Sequence, residues 1–370
     1  MPHRTKTGGL ILKINKALCL ISLISAVSLA GCSTTDKASS SEAPTEPEKV
    51  SPESISFEWQ APYEAKLEEF RNSEQFNSNP NGGSAFEITD VTGDDTPELI
   101  ISPSGDKASM CSIYTCEGGN IVSLGETGFF GEFEYLPEQG YIHEEYSGEG
   151  FIIGKYKKYE DGELVDKLNY SDNSGEASSG ATITHSINGD DVLLSQYEET
   201  LTEYGAGPSF RIGRKYTFGD AAVNYGIRRA ESWGAVLTTE QKELARGKLN
   251  ELLTSLDVAA SGAAFELCDL NGDDVPELVV SEGAFSESQC RIYYFNGGEM
   301  SQLDGTYGSL GCIKFDMEKL VFYAETPMET TYWSLADSNF SAADYVSSGS
   351  VMQVGRKYSL TEADITAALL

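Results

Sequence analysis

The stretch FEITDVTGDDTPELIIS at residues 86–102 has a near copy, FELCDLNGDDVPELVVS, at residues 265–281. The similarity runs without a gap from 84–124 to 263–303, where 18 of 41 positions are identical. In each copy apolar residues enter and leave a polar turn, which is typical of two β-strands joined by a loop. The sequence therefore predicts two copies of one strand–loop–strand unit.

Each loop carries oxygen-bearing groups at alternate positions around a glycine. Calcium binds six to eight oxygens, and calcium loops draw them from positions 1, 3, 5, 7 and 9. The first loop offers Asp90, Thr92, Asp94, the Thr96 carbonyl and Glu98, and the second offers Asp269, Asn271, Asp273, the Val275 carbonyl and Glu277. The sequence therefore predicts two structural Ca²⁺ sites, one in each loop.

These loops are not EF-hands, because position 12 holds Ile101 and Val280 where an EF-hand has a bidentate Glu. The shorter frame resembles the Asp-rich loops of FG-GAP and VCBS-type repeats, which cross between two β-strands of a blade. Similar loops that end in Pro-Glu-Leu occur in surface lipoproteins of Gram-positive bacteria. The resemblance covers about 17 residues in each copy. We expect bound calcium to have a structural role, because it would neutralise carboxylates that repel one another within one turn and would tie two strands together.

Two features depart from that pattern. Position 6, commonly Gly, is Asp95 in the first loop and Asp274 in the second; Asp tolerates left-handed backbone better than most residues. Thr92 is a neutral ligand, so we expect the second loop to bind calcium more tightly. The alternative is a metal-free turn in which Asp side chains accept backbone N–H groups. A third Asn-Gly-Asp-Asp-Val, at residues 188–192, lacks acids at positions 1 and 9 and predicts a turn followed by a helix.

The N-terminus has the features of a secretory signal. A basic region precedes an apolar stretch at residues 17–30 that is short for a bilayer span. It ends in Leu-Ala-Gly-Cys at residues 29–32, which resembles the lipobox of bacterial lipoproteins. The resemblance implies that residues 1–31 are a signal peptide and that Cys32 is lipidated, anchoring the chain to the membrane outside the cytoplasm; an ordinary signal peptide is the alternative. Residues 32–52 are rich in Ser, Thr, Pro and Glu, which predicts a disordered stalk.

Composition excludes some partners and leaves others open. The net charge of −32 argues against binding to nucleic acid and against electrostatic attraction to anionic lipids. Beyond Cys32 the chain has an odd number of cysteines, so they cannot all pair within it; we expect at most two disulfides, with open pairing. These cysteines are Cys111, Cys116, Cys268, Cys290 and Cys312.

The order of predicted elements indicates an α+β fold with two tandem modules. In each module a helix precedes an antiparallel sheet that contains the Asp-rich hairpin. The first module spans residues 53–222, with an insertion at about 151–205, and the second spans 233–370. Pro62 suits the first position of the first helix, and Thr238 with Gln241 forms a capping box for the second. Both modules close on a related phrase, Gly-Arg-Lys-Tyr at residues 213–216 and 355–358.

The sequence does not point to a particular set of catalytic residues. His143 and His185 are expected to be surface or packing residues, and the motifs of zinc proteases, serine hydrolases and P-loop enzymes are missing from the sequence. Trp59, Trp233 and Trp333 favour core packing over sugar binding. We therefore expect a non-enzymatic, lipid-anchored surface protein that binds a glycan or another surface protein. The alternative is a lipoprotein enzyme that acts on cell wall or polysaccharide through a carboxylate pair.

Overall fold

The computed structural model describes residues 57–370 except 79–82, 149, 174–182, 229–235, 257–261, 272, 274, 284–287, 326–329 and 335–344. The expected signal peptide, the lipidation residue Cys32 and the stalk lie outside the described residues, as do Trp233 and Asp274. By their contacts, both copies of the repeat belong to one unit, Glu58–Leu370.

The described part of the chain contains short helices and many short strands. The helices are α1 (Gln60–Arg71), α2 (Glu74–Ser78), α3 (Leu194–Tyr204), α4 (Asp220–Arg228), α5 (Thr239–Ser255) and α6 (Glu362–Ala368). The strands before α5 are β1 (Ala85–Thr89), β2 (Glu98–Ser102), β3 (Cys111–Glu117), β4 (Asn120–Thr127), β5 (Phe133–Leu136), β6 (Tyr141–Gly148), β7 (Phe151–Glu160), β8 (Glu163–Asp172), β9 (His185–Ile187), β10 (Asp190–Val192) and β11 (Phe210–Ile212). Those after α5 are β12 (Ala264–Cys268), β13 (Glu277–Ser281), β14 (Cys290–Asn296), β15 (Glu299–Gln302), β16 (Ile313–Asp316), β17 (Val321–Glu325), β18 (Thr330–Ser334), β19 (Val351–Val354) and β20 (Tyr358–Ser359).

The first sheet combines strands of both copies. Its strand order is β4-β3-β2-β1 on one side and β19-β16-β17-β18 on the other. Tyr216 joins the two halves, because its backbone pairs with Phe86 of β1 and with Met352 of β19. The N–H of Phe86 lies 2.7 Å from the Tyr216 carbonyl, and the reciprocal bond measures 2.8 Å.

The second sheet repeats this arrangement with the copies exchanged. Its order is β15-β14-β13-β12-β20-β11-β5-β6-β7-β8-β9-β10. Tyr358 of β20 occupies the place that Tyr216 has in the first sheet, and it pairs with Phe265 of β12 and Phe210 of β11. The structure thus confirms a strand-rich, antiparallel α+β fold. It differs from the expectation of one sheet for each copy, because each copy contributes strands to both sheets.

Helices cover the outer face of each β-hairpin unit. Tyr63 and Leu67 of α1 pack against Phe86 and Ile88 of β1, while Leu249 of α5 belongs to the matching cluster on β12 and β13. The inner faces of β2 and β3 pack against β5, β6 and β11 of the opposite sheet. Each Asp-rich hairpin is therefore held between helices on one face and the opposite sheet on the other.

Several local expectations can be compared with the structure. Thr238 caps α5 in a capping box with Gln241, as predicted. Pro62 is not the first helical residue, because α1 begins two residues earlier at Gln60; a proline in the first turn still leaves no N–H unpaired. The helix α4 was not predicted, and residue 222, the expected end of the first module, lies inside it. Within the insertion, β7 and β8 pair as a hairpin.

Candidate metal centre

The two Asp-rich loops connect strands that pair in the same register. Thr89 at the end of β1 faces Glu98 at the start of β2, and Cys268 at the end of β12 faces Glu277 at the start of β13. Each loop therefore begins one residue after a strand pair and ends with a glutamate that belongs to the sheet. This is the strand–loop–strand geometry that the sequence predicted.

In the first loop, the Asp90 carboxylate organises the backbone. Its Oδ1 accepts the N–H groups of Thr92 at 3.0 Å and Gly93 at 2.7 Å, and its Oδ2 accepts the N–H of Asp95 at 3.0 Å. Asp94 accepts the N–H of Thr96 at 2.8 Å. The chain is thereby wound around the Asp90 carboxylate over a single turn.

Asp95 occupies position 6 of the first loop, where such loops commonly have glycine. Its φ of +66° is left-handed, and Gly93, two residues earlier, has a φ of +80°. The aspartate thus adopts the backbone that glycine commonly supplies at this position, as its short polar side chain allows. In the second loop the equivalent residues, 272 and 274, lie outside the described part.

Glu98 closes the first loop from within the protein. Its side chain is fully buried, and its Oε2 accepts the N–H of Val91 at 2.8 Å. Burial raises the pKa of this carboxyl to about 8; the Val91 N–H opposes the shift, and the negative charges of Asp90 and Asp94 add to it. A buried carboxylate beside two others costs free energy unless a proton or a cation neutralises it.

The second loop repeats this pattern. Glu277 is 7 % exposed, and its Oε2 accepts the N–H of Leu270 at 2.8 Å. Asp269 Oδ1 accepts the N–H of Asn271 at 3.2 Å, and Asp273 Oδ1 accepts the N–H of Val275 at 2.9 Å. Burial again raises the pKa of Glu277 to about 8, with Asp273 and Asp269 adding to the shift.

The residues at position 3 make different hydrogen bonds in the two loops. The Asn271 amide donates to Glu277 Oε1 at 2.9 Å and to Asp273 Oδ2 at 3.1 Å. The shorter Thr92 places its hydroxyl 3.4 Å from Glu98 Oε1. Asn271 therefore gathers the carboxylates of its loop more closely than Thr92 does.

The donor chemistry of the loops suits a hard cation. The side-chain atoms that could ligate a metal are oxygens, except that the Asn271 amide nitrogen faces the carboxylates. Rotation of this amide by 180° would present its oxygen instead. The N–H bonds to Asp90 and Asp94 do not exclude a metal, because each carboxylate oxygen has a second lone pair. No ion pair between described residues involves Asp90, Asp94, Glu98 or Glu277. These four carboxyl groups therefore have no basic partner among the described residues.

The hydrogen bonds also match the metal-free alternative. Asx-type bonds from backbone N–H groups to Asp oxygens hold both loops. Within residues 57–370, outside the gaps given above, no group of three or more His, Cys, Asp or Glu side chains is arranged closely enough to hold a metal ion. A cation would therefore have to draw the Asp and Glu side chains of each loop together.

The third Asn-Gly-Asp-Asp segment is a plain hairpin. Asn188 has a φ of +52° and Gly189 a φ of +87°, and they connect β9 to β10. The side chains of Asp190 and Asp191 are exposed. The helix α3 begins at Leu194, so the predicted turn followed by a helix is confirmed.

His143 takes part in a hydrogen-bonded chain that the sequence did not indicate. Its Nδ1 lies 3.1 Å from Glu134 Oε2, its Nε2 lies 2.6 Å from the Tyr170 hydroxyl, and Tyr170 donates to Glu145 at 2.7 Å. The ring stacks on Tyr156 with centroids 4.4 Å apart. The residue spacing gave no signal for this chain, because β-strand pairing alone brings its members together. His143 thus both stacks on an aromatic ring and hydrogen-bonds within the second sheet.

Most tryptophans and cysteines of the described part lie in hydrophobic clusters. Trp59 is buried in the cluster under α1, and Trp333 packs at the edge of the same cluster. Cys111 and Cys290 are fully buried at equivalent places of the two copies. All five cysteines that follow the stalk are free thiols in this structure.

The sequence reasoning missed a group of residues at the junction of the two copies. Glu87 accepts the N–H of Gly213 at 2.9 Å and pairs with Lys357 of the other copy. Glu266 accepts the N–H of Gly355 at 2.8 Å and pairs with Lys215. The repeated Gly-Arg-Lys phrase was the available signal, since it recurs where each copy meets the other.

Comparison of the chain with protein-family models, with curated proteins and with solved structures found no match. Among the helices of the described residues, none is long and apolar enough to cross a membrane.

Proposed function

We propose that this chain is a lipid-anchored extracytoplasmic binding protein whose two Asp-rich loops hold structural calcium ions. The observation that carries the calcium proposal is the same in both loops. A buried glutamate, Glu98 or Glu277, closes a turn that already holds two aspartates, and no ion pair between described residues involves either glutamate. A divalent cation would neutralise these carboxylates where a basic side chain does not.

The proposed ligands are the groups at positions 1, 3, 5, 7 and 9 of each loop. Each ion would join the two strands of a hairpin at the point where they diverge, so its binding free energy would add to the stability of the fold. Because the two loops occupy equivalent places in two sheets, they fit a structural role better than a catalytic one. The residues at these positions are Asp90, Thr92, Asp94, Thr96 and Glu98, and Asp269, Asn271, Asp273, Val275 and Glu277, where Thr96 and Val275 offer their backbone carbonyls.

We also infer that the two copies are tandem modules, each a helix followed by a sheet-forming segment, with approximate bounds 53–222 and 233–370. Their final strands exchange sheets, which ties the modules together. The signal peptide at 1–31 would direct export and be removed, and the lipid on Cys32 and the stalk at 32–52 would then hold this unit at the outer face of the membrane. A glycan or another surface protein is the proposed partner.

Thermal unfolding of the full chain tests the calcium proposal. At a free calcium concentration of about 100 times Kd, one site adds about 2.7 kcal/mol to the free energy of unfolding, so the melting temperature should rise and chelator should reverse the change. The Glu98→Gln and Glu277→Gln variants should each lose part of the rise. Asp191→Asn, in the plain hairpin, is the matched control and should retain all of it. Equal melting temperatures with calcium and with chelator would contradict the proposal.

A separate experiment tests the anchor. Expression of the chain in a bacterial host with a labelled fatty acid should label the wild-type protein and leave Cys32→Ser unlabelled. Label that persists in Cys32→Ser would contradict the lipidation of this cysteine.

A further inference from the structure

A small cavity lies where the two copies meet, and equivalent segments of both copies line it. Residues 213–215 of the first copy and Arg356 and Lys357 of the second form its walls, together with Glu87 and Glu266. Equivalent residues of the two copies therefore face this cavity, and none of its lining residues belongs to the Asp-rich loops.

The charges around this cavity do not balance. Lys215 pairs with Glu266 and Lys357 pairs with Glu87, so these four side chains neutralise one another. Three arginines also line the cavity, Arg211, Arg214 and Arg356, and the remaining acid among the lining residues is Glu132. The cavity is thus positively charged in a chain whose net charge is −32.

Arg356 is the least compensated of these arginines. It is half-buried, and it forms no hydrogen bond or ion pair with any described residue. Burial, and then the positive charge of Arg211, lower the pKa of the Arg356 guanidinium. Arg211 itself approaches Glu132 only to 3.8 Å. Two guanidinium groups therefore face a partly enclosed space and share one distant carboxylate.

Arg214 provides a second, independent indication. Its Nε is buried and has no hydrogen-bond partner, although its Nη2 donates to the Gly83 carbonyl at 3.3 Å. A buried donor without an acceptor costs free energy. Arg214 also lines the cavity, so a bound acceptor that reached its Nε would remove that cost.

We propose that this cavity binds a small oxyanion, a carboxylate, sulfate or phosphate group, held between Arg211 and Arg356. Guanidinium groups donate paired N–H bonds in a plane that matches such oxygens. Glu132 would be the internal competitor for Arg211, and the bound anion would take its place. This site is independent of the calcium proposal, because it shares no residue with the loops.

Calorimetric titration of the full chain with sodium sulfate, sodium phosphate and sodium acetate, each in calcium-free buffer, tests this proposal. At least one anion should bind saturably. The relative affinities for the three anions would show whether the site prefers a sulfate, a phosphate or a carboxylate group. Arg356→Gln should weaken binding about tenfold, the factor for one lost charge-assisted hydrogen bond. Arg228→Gln removes the same charge at an exposed place outside the cavity and should leave the affinity unchanged.

Glu132→Gln supplies a test that misfolding cannot imitate. Removal of the competing carboxylate should make anion binding several-fold tighter, whereas an unfolded variant would bind nothing. The proposal is overturned if no anion gives a saturable signal at millimolar concentration. It is also overturned if Arg356→Gln binds as the wild type does, or if Glu132→Gln binds no more tightly.

Discussion

Glu87 and Lys357 form an ion pair although they are 270 positions apart in the chain. Lys215 and Glu266 form the equivalent pair in the opposite sense, so each copy supplies one lysine and one glutamate to the other. All four side chains are largely shielded from water. The two copies are therefore joined by reciprocal buried charges as well as by shared sheets.

Loss of one lysine should destabilise the whole unit. Lys357→Met would leave the buried Glu87 carboxylate without its cation, and breaking a buried pair in this way costs about 3 kcal/mol or more. Lys215→Met should have a similar effect. Urea unfolding measures both. Lys314→Met is the control, because its pair with Glu325 is exposed and should change the free energy of unfolding by about 1 kcal/mol at most. Equal effects at buried and exposed lysines would contradict this account.

The glycines of the repeated phrase should not tolerate a side chain. A Cβ at Gly213, where φ is +136°, would lie 2.3 Å from the Gly131 carbonyl oxygen. At Gly355, where φ is +117°, it would lie 3.0 Å from Cys290 Sγ. We expect both Gly→Ala variants to lower the free energy of unfolding, Gly213→Ala more strongly because the obstacle there is backbone.

Gly247 offers a control of opposite sign. It lies in α5, and an added Cβ would meet no atom within 4 Å. Gly247→Ala should raise the free energy of unfolding by about 0.5–1 kcal/mol through helix propensity. If chemical unfolding showed that all three substitutions change the free energy of unfolding in the same direction, the prediction from the close contacts at Gly213 and Gly355 would be contradicted.

Tyrosine emission offers a local probe of the first loop. The Tyr135 hydroxyl lies 3.7 Å from the position of a Cβ built on Gly93, and burial followed by the charges of Asp90 and Glu98 raises its pKa to about 12. Terbium bound in the loop should therefore luminesce on excitation of tyrosine, and added calcium should quench the signal. Tyr135→Phe should reduce the luminescence without changing the calcium concentration that displaces terbium. A signal that survives in Glu98→Gln would place the ion elsewhere.

The buried glutamates predict an unusual pH dependence. Glu98 and Glu277 each have a folded-state pKa of about 8 against an ordinary value of 4.5. The folded chain therefore retains protons that the unfolded chain releases. In chelator, the contribution of these two groups to the free energy of unfolding should be greatest below about pH 4.5. It should fall as the pH rises to about 8, because the folded chain must then lose protons from buried carboxyl groups. Each unit of pKa difference contributes about 1.4 kcal/mol.

Calcium should oppose that loss, because it binds the ionised carboxylates. The stabilisation by calcium should thus increase from pH 5 to pH 8, a range tested by chemical unfolding at fixed free calcium. The double variant Glu98→Gln, Glu277→Gln should show a smaller slope in chelator. If the free energy of unfolding of the metal-free protein rose over this pH range, the account of the buried carboxyl groups would be contradicted.

The local features were predictable from sequence, and the pairing between copies was not. The alternation at Phe86 and Ile88 indicates a strand from neighbouring residues alone. Thr238 and Gln241 likewise indicate a helix start within four residues. The exchange of sheets depends on Tyr216 and Tyr358, each the last residue of a phrase that reads the same in both copies. Equivalent phrases give no indication of which copy each one joins.

For the same reason the sequence does not predict the arginine-lined cavity. Arg211 and Arg356 come from different copies, and only the pairing of β11 with β20 brings them together. The Asp-rich loops, in contrast, draw all their donors from nine consecutive residues. Short-range sites can be read from spacing, whereas a site between elements needs the topology first.

The stoichiometry of calcium binding tests the central claim most directly. Calorimetric titration of the full chain should show two sites, with the second loop binding more tightly because Asn271 stands where the first loop has Thr92. Glu98→Gln should leave the tighter site, Glu277→Gln the weaker one, and the double variant none. Two calcium ions bound by the double variant, or no saturable heat from the wild type, would contradict the account of the loops as calcium sites.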